Sequence, residues 1–385
     1  MNDVAISGLE RRLLRFIFIL CALCLAGSAM FCQGADTNLV AGSETNLVTV
    51  FQDDLSQFTG VALSRTGRMF VNYPRWQGPH DFDVVEITSN GIARPFPDKE
   101  WNSWKKGESG SNKWVSVQAV YVDDNDYLWV VDAGAPQMEV VEDHGAKLVK
   151  IDLKHDRVAR IFNLTELPGK DSYLNDVRVD TESNIAYLTE SKQGGIVVLD
   201  TQSGKARMVL RKEPPVVSDP NHKFVVGGGE LQRGGKPMKV NSDGIALSPD
   251  REWLYFKPLS DTKLYRIRTA DLRDALATGA DVRNKVQDLG TNFTTSDGMI
   301  FDKKGNLYLS DVEHGAIMQV KATRGLGLRT VVRDPRLIWP DTFAWGPDGS
   351  LYVSCSQIQN MPWFHNGRST RTTPYKIYKL KVDAE

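Results

Sequence analysis

Ser242-Asp243-Gly244-Ile245-Ala246-Leu247-Ser248-Pro249-Asp250 runs into Trp253-Leu254-Tyr255-Phe256 and then Lys263-Leu264-Tyr265-Arg266-Ile267. These are short apolar runs broken by turn residues, the pattern of successive β-strands. The plan returns at Ser296-Asp297-Gly298-Met299-Ile300-Phe301-Asp302 with Gly305-Asn306-Leu307-Tyr308-Leu309-Ser310-Asp311, and at Pro340-Asp341-Thr342-Phe343-Ala344-Trp345 with Gly349-Ser350-Leu351-Tyr352-Val353. Looser copies begin at Leu174-Asn175-Asp176-Val177, Val117-Gln118-Ala119-Val120 and Thr59-Gly60-Val61-Ala62, which makes six.

A unit repeated at this length points to an array of identical modules around or along an axis. With a leader of 35 residues set aside, 385 − 35 = 350 residues divided among six copies leave about 58 each, room for four strands and their loops. A β-sandwich does not predict six similar units; a six-bladed β-propeller of the all-β class, spanning 46–383, does. Ring closure calls for a strand from the other terminus, and Asn46-Leu47-Val48-Thr49-Val50 is apolar enough to join the last copy beside Tyr375 to Leu380. The longest insertion, Arg211 to Val240, carries Pro214-Pro215 and Gly227-Gly228-Gly229 and is expected to be an irregular loop over one face of the disc.

Composition narrows the partners. Lys+Arg 47 against Asp+Glu 48 gives a formal net charge of -1, without the basic footprint of a nucleic-acid binder. Arg11, Arg12 and Arg15 precede an apolar run from Phe16 to Phe31, followed by Gly34, Ala35 and Asp36. That order reads as a secretory signal peptide over 1–35, so the mature protein is expected to be exported, periplasmic or secreted, touching a membrane only through the leader. Cys21, Cys24 and Cys32 fall in the leader, leaving Cys355 alone in the mature chain and no intrachain disulfide. A monomer is expected.

In the aligned frame, the residues just before the first strand of each copy are Thr59, Val117, Asn175, Asp243, Asp297 and Asp341. In a propeller that strand is innermost, so these positions ring one mouth of the central channel. Three carboxylates and an amide around one axis repel unless a cation sits among them or a carboxyl keeps its proton. Ca²⁺ or Mg²⁺ held by Asn175, Asp243, Asp297 and Asp341 is one answer; the other is that these side chains only accept hydrogen bonds from loop N–H groups. Asp132, Glu190 and Asp311, at the ends of second strands, read as loop-fixing residues. His314, within a copy's motif, is a candidate general base beside Asp243 and Asp297. Trp339, two residues before Asp341, is a candidate to reach the mouth. No phosphate loop and no Gly-x-Ser-x-Gly turn occurs, so neither a nucleotide nor an organic cofactor is expected.

Tyr73-Pro74-Arg75-Trp76, Leu128-Trp129-Val130-Val131-Asp132-Ala133-Gly134, Tyr173-Leu174-Asn175-Asp176-Val177, Ser242-Asp243-Gly244-Ile245 and Trp339-Pro340-Asp341-Thr342-Phe343 together resemble the major royal jelly protein/yellow family. The resemblance implies a secreted six-bladed propeller that binds, and isomerises, a small ligand at the channel mouth, dopachrome-like or an aromatic amine. More distantly the frame is similar to calcium-dependent gluconolactonase/regucalcin propellers, which implies the alternative of a metal-dependent lactone hydrolase with Asn175, Asp243, Asp297 and Asp341 as ligands. Thr59 stands where that class carries a first-blade Glu, and this favours the binding reading.

Overall fold

The computed structural model describes residues 46–77, 80–321 and 326–382; the signal peptide expected over 1–35 lies outside them. Six four-stranded antiparallel sheets follow one another along the chain, each beginning with its innermost strand. The fold is a six-bladed β-propeller. The inner strands are Val61–Leu63, Val117–Val122, Leu174–Asp180, Ser242–Leu247, Met299–Phe301 and Pro340–Trp345.

The ring closes as the apolar N-terminal segment suggests. Val48–Asp53 pairs antiparallel with Tyr375–Leu380, running from Val48 opposite Lys379 to Asp53 opposite Tyr375. The sixth blade is therefore built from both ends of the propeller, so its outermost strand precedes the first blade in sequence.

The core lies between blades rather than at one centre. Trp129, Leu148, Leu188 and Val197 fill the joint between the second and third blades. Tyr187, Val198, Leu254 and Phe256 fill the next. Each such side chain, fully buried, stabilises the fold by about 1.5–3 kcal/mol. The alternation along the strands serves two joints at once, since each face of a blade meets a different neighbour.

Two features depart from the expected pattern. A helix, Thr269–Thr278, capped by Gly279 at φ 87°, enters the fourth blade and adds Leu272, Ala275 and Leu276 to its joint with the third. The insertion at 211–240 is also more regular than its prolines and glycines suggest: it holds two small hairpins, Val225–Val226 with Gly229–Glu230 and Gln232–Arg233 with Lys236–Pro237. Gly227-Gly228 and Gly234-Gly235, all at positive φ, make their two-residue turns, the geometry that matches the twist of paired strands. The insertion packs on the face where the inner strands begin, through Phe224, Val226 and Leu231 against Trp76, Trp339 and Met361.

Candidate functional site

Four of the six ring positions are aimed by the same backbone device. In the second, third, fourth and sixth blades the inner strand slips by one residue against its neighbour, between Val117 and Ala119, Leu174 and Val177, Ser242 and Ile245, and Pro340 and Phe343. These are β-bulges, which turn a side chain out of the strand's alternation. In the third, fourth and sixth blades the bulge carries Asn175-Asp176, Asp243-Gly244 and Asp341-Thr342. In the second the bulged residue is Gln118, so the register corrects the expected ring member: Gln118, not Val117, is the counterpart of Asn175.

The bulges, and the matching segment of the fifth blade, are held from the second strand. Thr189 Oγ1 accepts the Asp176 N–H at 3.0 Å, Ser310 Oγ accepts those of Asp297 and Gly298 at 3.0 and 3.1 Å, and Ser354 Oγ accepts that of Thr342 at 3.1 Å. Glycine follows Asp243 and Asp297 for a steric reason. A Cβ on Gly298 would lie 2.1 Å from the Asp341 carbonyl oxygen, so only glycine lets the fifth and sixth inner strands meet there.

The expected residues do come together. Asn175 Nδ2 donates to Asp243 Oδ2 at 2.7 Å and to Ser191 Oγ at 3.3 Å. The Asp243 and Asp297 carboxyls adjoin, each shifting the other's titration, and one proton between them relieves their repulsion. Trp339 Nε1 donates to Asp297 Oδ2 at 2.7 Å. Asp341 Oδ1 accepts the Thr342 hydroxyl at 3.3 Å, but its Oδ2 is buried without a hydrogen bond, as is the nearby Ser356 Oγ. Asp243 and Asp341 are buried, whereas Asp297 keeps part of its surface open.

Burial is the main reason these carboxyls hold protons, and their mutual repulsion adds to it. Asp243 is pushed well above the usual carboxylate range by burial, then by the charges of Asp297, Asp176 and Asp341. Asp341 is raised in the same way, by burial and then by Asp297. Asp297 rises to about 7; burial drives it, and the Trp339 N–H and the charge of Lys257 restrain it. A carboxyl such as Asp297, titrating near 7 beside a second raised carboxyl, can both withdraw and return a proton.

Three members of the cluster are not evident from sequence. Asp176 is buried beside Asn175 and raised by burial, with Arg178 restraining the rise. Arg178 Nη1 stands 3.6 Å from Asp176 Oδ2, and its Nη2 crosses to the Met299 carbonyl of the fifth blade at 2.7 Å. Lys257 is wholly buried on the second strand of the fourth blade, and its ammonium donates to the carbonyls of Pro258, Leu259 and Asp261.

The remaining candidates fall elsewhere. His314 is exposed and its Nδ1 is 2.8 Å from Asp311 Oδ1, so it is joined to that loop and not hydrogen-bonded to the carboxylates. Asp132 accepts the N–H groups of Val115, Ser116 and Gly134, and Glu190 those of Tyr173, Lys192, Gln193 and Gly194, which is loop fixing. A cavity of about 860 Å³ opens at the opposite end of the channel, among Arg65, Asp124, Arg178, Arg251 and Lys303. Its acids are engaged: Asp123 and Asp302 cap their own turns and Asp124 pairs with Arg251. The orphaned oxygens are at the other mouth.

The donor set does not fit a divalent cation. Asn175 turns its amide N–H₂ to Asp243, and Asp243 and Asp297 satisfy each other. Thr59 spends its hydroxyl on the Gln118 carbonyl at 3.0 Å. Among the described residues no three His, Cys, Asp or Glu side chains converge as a metal site. As these side chains stand, Asn175, Asp243, Asp297 and Asp341 do not present the four-residue cage expected for Ca²⁺ or Mg²⁺.

Residues 115–384 match the family described as Major royal jelly protein. The chain belongs to the major royal jelly protein family. Major royal jelly protein 7 of Apis mellifera is 25% identical over 265 residues, 65% of this chain and 56% of that protein. Major royal jelly protein 5 of the same species is 26% identical over 266 residues, 65% of this chain and 42% of that one. The chain thus spans about half the length of the curated relatives it matches. Among solved structures, a gluconolactonase from Xanthomonas campestris superposes with a TM-score of 0.52 at 11% identity, covering 88% of this chain and 89% of that one. Regucalcin from Agrobacterium tumefaciens, titled a calcium-binding protein, gives 0.50 at 12% identity, covering 87% and 94%. These likenesses concern the propeller fold.

Proposed function

We propose that this member of the family is exported and binds a small aromatic amine, or a dopachrome-like molecule, at the carboxylate-ringed mouth, and that the Asp243–Asp297 pair moves a proton on that ligand. The observation that carries the reading is the buried Asp341 Oδ2 with no hydrogen-bond partner, in the cluster that holds the Asp243 and Asp297 carboxyls. A buried carboxyl oxygen left without a partner costs about 1–3 kcal/mol, and a polar group of a ligand or an ordered water removes that cost. Trp339 and Phe224, with ring centroids 5.8 Å apart, supply an aromatic wall beside it. Tautomerisation needs one group to take a proton and one to return it, which Asp297, titrating near 7, with the raised Asp243 beside it, supports.

The test is tryptophan fluorescence of the purified propeller titrated with tyramine and dopamine, together with the spectroscopic decay of dopachrome and the hydrolysis of glucono-δ-lactone, each with and without EDTA. The reading expects saturable amine quenching that Asp341→Asn weakens at least tenfold, or dopachrome turnover that Asp297→Asn abolishes, both indifferent to EDTA. Lactone hydrolysis lost in EDTA would replace it with the metal-dependent reading.

A further inference from the structure

The second-strand position beside the bulge, or beside the matching segment of the unbulged first and fifth blades, is Asn72, Thr189, Ser310 and Ser354 in the first, third, fifth and sixth blades and the apolar Val131 in the second. These four polar, uncharged side chains bond the bulge or the inner strand beside it. In the fourth blade the same position is Lys257. A lysine there is costly, since burial of an ammonium is unfavourable without compensation. Its three hydrogen bonds all go to neutral carbonyls, so its charge is left to act on the acids around it: Asp261, Asp243, Asp297 and Glu313.

We propose that Lys257 is the resident counter-cation of the carboxylate ring, taking the electrostatic part that the sequence assigned to a divalent ion, so that the mouth is assembled and held without metal. Arg178 does the same one layer along the channel, where it stands beside Asp176 and anchors to the fifth blade. The two cations explain how Asp176, Asp243, Asp297 and Asp341 coexist, with the shared protons carrying the remainder. Lys257 is a positioning residue: it contacts no ligand and acts through the charge of Asp297, against which it opposes the repulsion of Asp176. The argument is independent of which ligand the mouth takes.

The experiment compares the parent with Lys257→Met and with Lys257→Met/Asp297→Asn, by thermal melts in Ca²⁺ and in EDTA at several pH values and by Tb³⁺ luminescence excited through tryptophan. The parent is expected to melt identically in Ca²⁺ and EDTA and to leave Tb³⁺ dark. Lys257→Met should melt lower, lose stability more steeply as pH rises, recover with Ca²⁺ by mass action and light Tb³⁺. The double variant should regain much of the loss, which a role confined to bracing the 258–261 loop would not allow; its folding also rescues the test if Lys257→Met alone does not fold. A parent stabilised by Ca²⁺, a Lys257→Met protein that keeps the parent's pH profile and leaves Tb³⁺ dark, or a double variant no better than the single, each overturns the proposal.

Discussion

Trp339 Nε1 stands 2.7 Å from Asp297 Oδ2, so the residue that enters the sixth blade holds the charged group that opens the fifth. Trp339 itself has φ 56°, a left-handed backbone rarely adopted by a bulky side chain. Strain of this kind persists where the surroundings over-determine it, commonly at binding sites. Here the backbone pays with strain to aim an indole N–H across a blade boundary.

Trp339→Phe keeps the ring and removes the donor. The N–H restrains the rise of Asp297, so its loss should move that carboxyl's titration upward from about 7. The pH midpoint of amine quenching, followed through the remaining tryptophans, should shift to higher pH with the fold intact. An unchanged midpoint would mean that the indole only packs.

Asp297 also sets a pH dependence of stability. Its carboxyl titrates near 7 in the folded protein against an ordinary value of 3.8, so between those values the folded state binds more protons than the unfolded one. Stability is then fully present below about pH 4 for this group and falls as pH rises toward and through 7, by at most about 1.4 kcal/mol per pH unit for one proton. Asp243 and Asp341 are raised too and act in the same direction. Urea melts at pH 5 to 8 should show the decline, and Asp297→Asn should flatten it and be the more stable protein at pH 8. A parent whose stability is level across this range would contradict the shared-proton account.

The six-part frame was legible because every blade repeats the same sterically forced succession of an apolar inner strand, a tight turn and an apolar second strand. The carboxylates Asp243, Asp297 and Asp341 were legible because they occupy one place in that frame. What escaped was local. A one-residue bulge moves the ring position from Val117 to Gln118 without disturbing the apolar pattern that aligns the copies. Asp176 sits on the same bulge as Asn175 and reads as an ordinary polar neighbour. Lys257 follows Tyr255-Phe256 and reads as a solvent-facing strand residue; only its alignment with Thr189, Ser310 and Ser354 gives a sequence signal, and that needs the register. His314 has the motif context of a base but a loop acid for a partner.

The small residue after Asp297 is testable by itself. Gly298→Ala adds a Cβ that meets the Asp341 carbonyl, a backbone atom that cannot swing aside. Overpacking of this kind costs about 1–3 kcal/mol, and here it spreads the two strands that carry Asp297 and Asp341. The variant should melt lower and bind amines more weakly than its lost stability alone accounts for. Gly327→Ala, where an added Cβ meets nothing within 4 Å and the backbone is not left-handed, is the control that should leave binding nearly unchanged.

The cover over the mouth and the seam of the ring should respond differently to the same chemical change. Phe224 is 1% exposed and sits edge-on to Trp339, with its segment tied down by the Val225 N–H on Glu313 Oε1 at 2.6 Å. Phe58 is 0% exposed, set between Phe51, Tyr73 and Tyr375 where the first and last blades meet. Truncating a buried phenylalanine to alanine costs about 3–5 kcal/mol. At Phe58 that loss falls on ring closure and should lower the melting temperature of the whole propeller. At Phe224 it falls on two small hairpins outside the six sheets, which can open as a unit of their own. Phe224→Ala should therefore speed hydrogen exchange at amides 225–238 and quicken ligand release, while blade amides keep the parent's protection. If Phe224→Ala instead lowers protection evenly through all six blades, the cover is part of the ring's cooperative unit, and access to the mouth must come from elsewhere.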